Sequence, residues 1–417
     1  MENVQAQREN RLTNISTAPT TITITLLITN TIYIKRGYRM KFEIMRDKLL
    51  DGLSDVMKAI SQKVAIPILT GIKIEVDEKG MTLTGSDSDI TICTFIPAED
   101  NGEQIIQVVE KGSIVLQAKV FSEIVRKLPT NEVTIEVANG LQTHIQSGKS
   151  EFHLIGLDPE DYPVLPEVKD DYLFSLPADL MKSIIRETVF AVSQQETRPV
   201  LTGVLWEVKD GGLACIATDS HRLARRLTIP EDMPEVPFSV VIPGKSLQEL
   251  NKILPDNGEL VDIVIADQQV LFKTRGVLFY SRLLEGNYPD TSRLIPLEYK
   301  TSVTVNGRLL LQAIDRASLL AREERNNIVR FSANEGKVIE ISSNSPEVGK
   351  VEELVEAIGV TGEELNISFS AKYMMDALKA IDGQDITIQF TGAMRPFILK
   401  SVDDDSILQL ILPVRTY

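Results

Sequence analysis

Histidine, cysteine and tryptophan are scarce in this 417-residue chain, which has three, two and one of them respectively. Two cysteines cannot build a disulfide framework. Cys93 and Cys215 lie in apolar runs, "ITICTF" and "LACIAT", which suits buried reduced thiols of the kind cytosolic proteins keep. His144, His153 and His221 offer no metal-ligand spacing with those cysteines, so neither a metal nor any other cofactor is expected. No apolar run approaches the roughly 18 residues that crossing a bilayer requires, so no membrane segment is expected and the chain reads as cytoplasmic. Positive charge is also short. The chain has 44 Lys and Arg against 59 Asp and Glu, a net charge of -15. Taken alone, that argues against a partner made of phosphate, which is bound through Lys and Arg.

What is present is a repeat. "IPILTGIKIEVDEKGMTLTGSDSDI" from Ile66 matches "RPVLTGVLWEVKDGGLACIATDSHRL" from Arg198, and "NIVRFSANEGKVIEISSNSPEVGK" from Asn327 is a third copy. A period this long means repeated domains, here 40–168, 169–297 and 298–417. Each copy opens on a strand and an amphipathic helix, continues through alternating strands broken by turns such as "DEKG" and "KDGG", then repeats the strand–helix–strand order. In the first helix Leu49, Leu50, Leu53, Val56, Met57 and Ile60 recur at helical spacing. The fold class is α+β, with two helices covering antiparallel sheets in each domain. Residues 1–39, Thr/Ile-rich and poor in charge, look foreign to this plan and read as a disordered extension or a start-site artefact.

Two stretches invite a catalytic reading. "PGKS" at 243–246 resembles the end of a phosphate loop, yet Ser239 stands where that motif needs its first glycine. Lys245 also aligns with Lys119 and Lys372 in the sister copies, which makes it architectural. "ATDSHRLARR" places Asp219, Ser220 and His221 side by side, the members of a hydrolase triad. Triads assemble from separate segments, and on a strand neighbouring side chains point to opposite faces. No G-x-S-x-G elbow occurs anywhere. A Ser-His-Asp hydrolase is therefore the lesser alternative.

Charge is unevenly spread. The six helical segments sum to a slightly positive value, so the acidic excess lies elsewhere. Helices gathered on one surface would give a mildly basic face and an acidic back, suited to holding DNA loosely without reading its bases.

Three tandem domains, "ATDSHRLA" in the second, "EGNYPDTSRLIP" closing it and "LILPVRTY" at the end resemble the bacterial DNA polymerase III beta subunit family, the sliding clamps, in the form found in Bacillus-like bacteria. The resemblance covers residues 40–417. It implies a homodimer closed head to tail into a ring around double-stranded DNA, with no catalysis of its own: a processivity factor within the DNA polymerase III holoenzyme. The implied partners are the replicative polymerase catalytic subunit, the clamp loader, translesion polymerases, mismatch-repair proteins and DNA ligase. By position, a pocket for partner peptides comprises Leu201, Thr218, Ser220, His221, Arg222, Leu223, Pro289, Arg293, Leu294, Leu410, Ile411, Leu412, Pro413, Val414 and Arg415. DNA contacts fall on Lys63, Gln195 and Arg198. Ring closure falls on Phe152 and Leu154 of an edge strand, against Leu319 and Leu320 of a second copy. Ser220 replaces a glycine common among relatives, and Thr416-Tyr417 extend past Arg415.

Overall fold

A computed structural model describes residues 39–61, 64–138, 140–164, 172–209, 211–230, 237–266, 268–321, 327–334, 336–382 and 385–415. Residues 1–38, Lys63, Thr416 and Tyr417 lie outside them. The helices come in pairs: α1 (Arg46–Val56) with α2 (Ala118–Lys127), α3 (Ala178–Thr188) with α4 (Gly244–Asn251), and α5 (Gly307–Ala321) with α6 (Ala371–Ile381). Each buries one apolar stripe. In α2 it is Ala118, Phe121, Ser122 and Val125, with Arg126 and Lys127 in the last turn beside the free carbonyls. In α6 it includes Met374, Leu378 and Ile381, and Ser370 Oγ accepts from Tyr373 N to cap the start.

Lys119, Lys245 and Lys372 are each the second residue of a helix, after Ala118, Gly244 and Ala371. All three preceding positions are buried. At Gly244 a Cβ would already sit 3.0 Å from the Thr202 carbonyl oxygen and 3.1 Å from a Val192 methyl. The position requires a small residue for packing, and "PGKS" is a helix start common to three repeats.

The strands are antiparallel throughout, and the sheets ignore the repeat boundaries. A five-stranded sheet in the first repeat runs Ser150–Ile155, Gln142–Ser147, Glu132–Ala138, Met40–Met45, Ile106–Glu110. An eight-stranded sheet joins the first repeat to the second where Val277–Arg282 pairs with Ile90–Pro97, setting Phe279 opposite Ile92. A twelve-stranded sheet joins the second to the third where Ile407–Ile411 pairs with Arg222–Thr228, setting Leu410 opposite Leu223. The helix-facing sides of these sheets build the cores. Cys215 is free and buried there, while Cys93 is free and buried on the other face of its strand, beside Thr84; burial pushes the Cys93 thiol up to about 11 and the Cys215 thiol further.

The second-to-third seam carries charge inside it. Arg226 Nη1 donates to Asp404 at 2.6 Å, its Nε lies 3.4 Å from a Glu187 carboxylate oxygen, and Gln409 Nε2 donates to the Glu187 backbone carbonyl at 3.1 Å. Burial raises the Glu187 carboxyl above its ordinary range, against the pull of Arg226 and Arg186. A carboxyl whose folded pKa is raised favours folding fully below its unfolded value of about 4.3 and loses that contribution as pH rises through the folded value. Glu187→Gln should therefore gain stability relative to the parent as pH goes from about 4 to about 7. Urea-unfolding midpoints across that range check this; a difference that stays constant with pH refutes it.

Candidate functional site

"ATDSHRLARR" is not one strand. Gly212–Thr218 ends, a tight turn follows, and Arg222–Thr228 begins. Thr218 Oγ1 accepts from Ser220 N at 3.2 Å and donates to the Arg222 carbonyl at 2.6 Å. Asp219 Oδ1 accepts from His221 N at 2.9 Å and Arg222 N at 3.0 Å. Ser220 takes the left-handed conformation, φ 76°. The first repeat builds the same turn: Ser86 Oγ accepts from Ser88 N, Asp87 Oδ1 accepts from Asp89 N and Ile90 N, and Ser88 has φ 83°. Asp219 is thus a turn-former, and its second oxygen accepts from Arg222 Nε at 3.0 Å. The His221 ring stacks towards Tyr373, with centroids 6.4 Å apart. The triad fails because its acid is engaged by the turn's own N–H groups and by Arg222, and because a turn, not an alternating strand, carries the three residues.

Strand alternation divides the sequence-derived pocket residues between two faces. Leu223 and Leu410 face outward in an apolar cluster with Leu205, Ile216, Val241, Ile398 and Leu408, partly covered by Val200, Leu284, Tyr288 and Ile295. Arg222 and Ile411, paired across the seam, take the opposite, helix-facing side. Arg222 is 7% exposed. Its Nη1 donates to Asp376 of α6 at 2.7 Å, its Nη2 donates to the Phe190 carbonyl at 2.6 Å, and the guanidinium lies 4.5 Å from the Tyr373 ring centroid. Arg222 thus pins the third repeat to the second.

The remaining residues collect around the outward cluster. Leu201 and Pro289 line a groove of about 400 Å³ with Arg198, Pro199, Val200 and Gly286. Val414 and Arg415 line another of about 530 Å³ with Arg330, Ser368 and Met394. The tail is held there by Val414 N donating to the Ser368 carbonyl at 2.8 Å, while Leu412 N donates to the His221 carbonyl at 3.0 Å. Leu412 and Pro413 are half-buried; Ser220, His221, Arg293 and Leu294 are exposed, and Thr218 is buried. Tyr288, which sequence reasoning passed over although "EGNYPD" contains it, ties the cluster to the turn: its hydroxyl accepts from Thr218 N at 3.1 Å. Burial raises its phenol above the usual range.

Gln195 and Arg198 are exposed, Arg198 at the edge of the Leu201 groove rather than apart from it. Phe152 and Leu154 are half-buried and face the first repeat's core, so the open face of their strand is carried by Glu151, His153 and Ile155. On α5, Leu319 is exposed and Leu320 half-buried. Among the described residues, those able to hold a metal are His144, Glu151 and His153, which the hairpin brings together despite their unpromising spacing in sequence.

Three family models match in tandem: the DNA polymerase III beta subunit N-terminal domain over residues 40–166, the central domain over 175–290 and the C-terminal domain over 292–415. The beta sliding clamp of Bacillus subtilis (strain 168) is 59% identical over 381 residues, 91% of this chain and 100% of that one. That of Staphylococcus aureus (strain N315) is 52% identical over 378 residues, again 91% and 100%. A solved sliding clamp from Bacillus subtilis superposes with a TM-score of 0.89 at 58% identity, covering 91% of this chain and all of that one. A Pseudomonas aeruginosa clamp bound to griselimycin gives 0.84 at 26% identity, covering 90% and 100%.

Replacing Arg222 with Ala should cost about 3 kcal/mol, because it leaves the second Asp219 oxygen and the Phe190 carbonyl without their donor and leaves Asp376 only its bond from Lys372. Ser220→Gly should stay within about 0.5 kcal/mol of the parent, since relief of the positive φ offsets the entropy of glycine. Chemical unfolding of both variants checks this. Equal stabilities for the two would show that Arg222 does not pin the seam.

Proposed function

The chain belongs to the DNA polymerase III beta subunit family, the beta sliding clamps, and on that premise we propose that it is itself a DNA sliding clamp. It is a non-catalytic processivity factor whose two copies close head to tail around duplex DNA. Its clamp domains are 40–168, 169–297 and 298–417.

One observation carries this reading. At both seams the last strand of one domain, Val277–Arg282 or Ile407–Ile411, pairs with the middle of the domain before it. The equivalent strand of the first domain, Ser150–Ile155, is a sheet edge. The equivalent acceptor in the third domain, Gly349–Gly362, pairs with Val338–Ser345 through its first half, and no strand covers the other edge of that half among the described residues. Inward residues of the paired strands are fully buried, Phe279 at 0% and Ile411 at 1%, while Phe152 and Leu154 are not. A second copy applied head to tail would pair edge with edge and cover Phe152 and Leu154 with its Leu319 and Leu320. Closed contacts of this kind make rings.

The outward cluster with its two grooves suits apolar-ended peptides, with Leu and Phe anchors seated on Leu223 and Leu410 between Leu201, Pro289 and the 412–415 tail. His221, Ser220, Arg293 and Leu294 form the exposed rim; Thr218, Arg222 and Ile411 support it from beneath. Through this site the clamp tethers the replicative polymerase, the clamp loader, translesion polymerases, mismatch-repair proteins and ligase in the cytoplasm. Gln195, Arg198 and Lys63 touch DNA. Among the described residues no helix is long and apolar enough to cross a membrane.

The protein should sediment as a dimer, and Leu319→Asp should shift it to monomer, because closure would bury an unpaired charge. Once loaded on a nicked circle it should survive high salt yet leave at once on linearisation. A protein held by charge alone would leave both forms as salt rises, and that result would defeat the ring.

A peptide of the Gln-x-x-Leu-Phe type should bind about thirtyfold more weakly, roughly 2 kcal/mol, after His221→Ala or truncation before Leu412, with the dimer intact. Fluorescence anisotropy measures this; unchanged affinity in both variants would move the site elsewhere.

A further inference from the structure

Outside the seams and grooves, one cluster of ligating side chains has no role in anything above. The strands Gln142–Ser147 and Ser150–Ile155 form a hairpin in which His144 lies directly opposite His153. Their rings stack with centroids 4.6 Å apart and planes 13° from parallel. Glu151, two residues before His153, projects on the same face, and its carboxylate lies 3.8 Å from His144 Nε2. One ligand atom from each of the three can be chosen so that all lie within 4.8 Å of one another. His144 Nε2 is shut off from solvent and has no hydrogen-bond partner. A buried imidazole nitrogen in that state has lost its water without replacement.

We propose that His144, Glu151 and His153 form a binding site for one divalent first-row transition-metal ion, of which Zn²⁺ is the representative. Two imidazoles and a carboxylate are a donor set for such ions, whereas Mg²⁺ and Ca²⁺ call for oxygen ligands in greater number. Around a tetrahedral Zn²⁺ with bonds of about 2.0 Å, ligand atoms stand roughly 3.3 Å apart. The three side chains must therefore close by up to about 1.5 Å, which rotation about their exposed side-chain torsions supplies. The neighbourhood assists. Glu136 on the adjoining strand faces His144 across the sheet, and Lys41 Nζ donates to it at 2.9 Å. That engagement keeps Glu136 from being the nearest free carboxylate, leaves Glu151 as the third ligand, and leaves the open coordination position to water.

Binding would cross-link the two strands of the hairpin at its middle. Ser150–Ile155 is the strand that closes the ring in the reading above, but the metal site needs only the hairpin and stands or falls without the ring. The third histidine, His221, is far along the chain in another turn and provides an internal control.

The test uses the full chain freed of metal by chelator, titrated with Zn²⁺ by calorimetry and with Co²⁺ in the visible. The expected result is one ion per chain, unaffected by millimolar Mg²⁺, with cobalt bands of a nitrogen–oxygen site. His144→Gln and His153→Gln should each weaken it at least tenfold, and Glu151→Gln should weaken it as well. His221→Gln should leave it unchanged. Glu151 and His153 are exposed and His144 is half-buried, all on the face of the hairpin away from the core, so these substitutions leave the core intact, and the cobalt spectrum reads the ligands directly. Absence of stoichiometric Zn²⁺ binding overturns the proposal. So does binding that survives the His144→Gln/His153→Gln double variant, which would place the ion elsewhere.

Discussion

The rest of the structure depends on backbone pairing between strands of different repeats. An antiparallel sheet edge is a row of unpaired donors and acceptors, and it must be covered or it will find a partner. At two seams this chain covers one repeat's last strand with the strand centre of the repeat before it, from Phe279 against Ile92 and from Leu410 against Leu223. The joint is made of main chain, so it depends little on which side chains flank it, and it can recur in repeats whose sequences have drifted apart. A rule that recurs twice along the chain leaves a third pair of strands, Ser150–Ile155 in the first repeat and Gly349–Gly362 in the third, that do not pair with each other within one copy.

The same pairing decides where polar groups go. Alternation across the second seam sends Arg222, Arg226 and Gln409 inward with Ile411, and Leu223, Leu408 and Leu410 outward. Inward arginines need acceptors because an uncompensated buried cation is costly. Asp219, Asp376, Asp404 and the Phe190 carbonyl supply them. The outward leucines face no such demand and remain an apolar floor at the surface, partly roofed by Tyr288 and the residues around it. A stapled interior and a greasy exterior are therefore two consequences of one register. An apolar surface patch held by a rigid sheet is the kind of feature that serves recognition.

Periodicity revealed the helices, the turns and the three repeats; of the residues that 3.6-residue spacing selects in the first helix, Leu49, Leu53 and Val56 form its buried stripe, while Met57 and Ile60 fall past its end. The lysine at the second position of each second helix was legible because three copies could be compared. Faces across a seam were not legible, because the partner strand lies nearly 190 residues away and its register is set by the whole sheet. The ion pairs of Arg222 with Asp219 and Asp376 were hidden for that reason. Nor was it legible that Phe152 and Leu154 face the first repeat's core half-buried while Glu151, His153 and Ile155 take the strand's open face. His144 and His153 looked scattered because the sequence does not announce that a turn at Ser147–Ser150 sets them opposite each other.

Net charge remains the last apparent contradiction, and the structure resolves it physically. Several lysines in or just past the helices are engaged by acids of the same chain, Lys58 by Asp55 at 3.1 Å, Lys252 by Glu249 at 2.7 Å, Lys372 by Asp376 at 2.8 Å and Lys182 by Asp256. Such exposed pairs add little to stability, but each removes a free cation that could have neutralised a phosphate. A protein that depended on counterion release for its grip would be poorly made this way. A ring that must stay on DNA while moving along it has the opposite requirement, since every tight phosphate contact is a barrier to sliding. For such a ring the acidic balance of the chain lowers friction, and closure of the two open strand edges supplies the retention that charge does not.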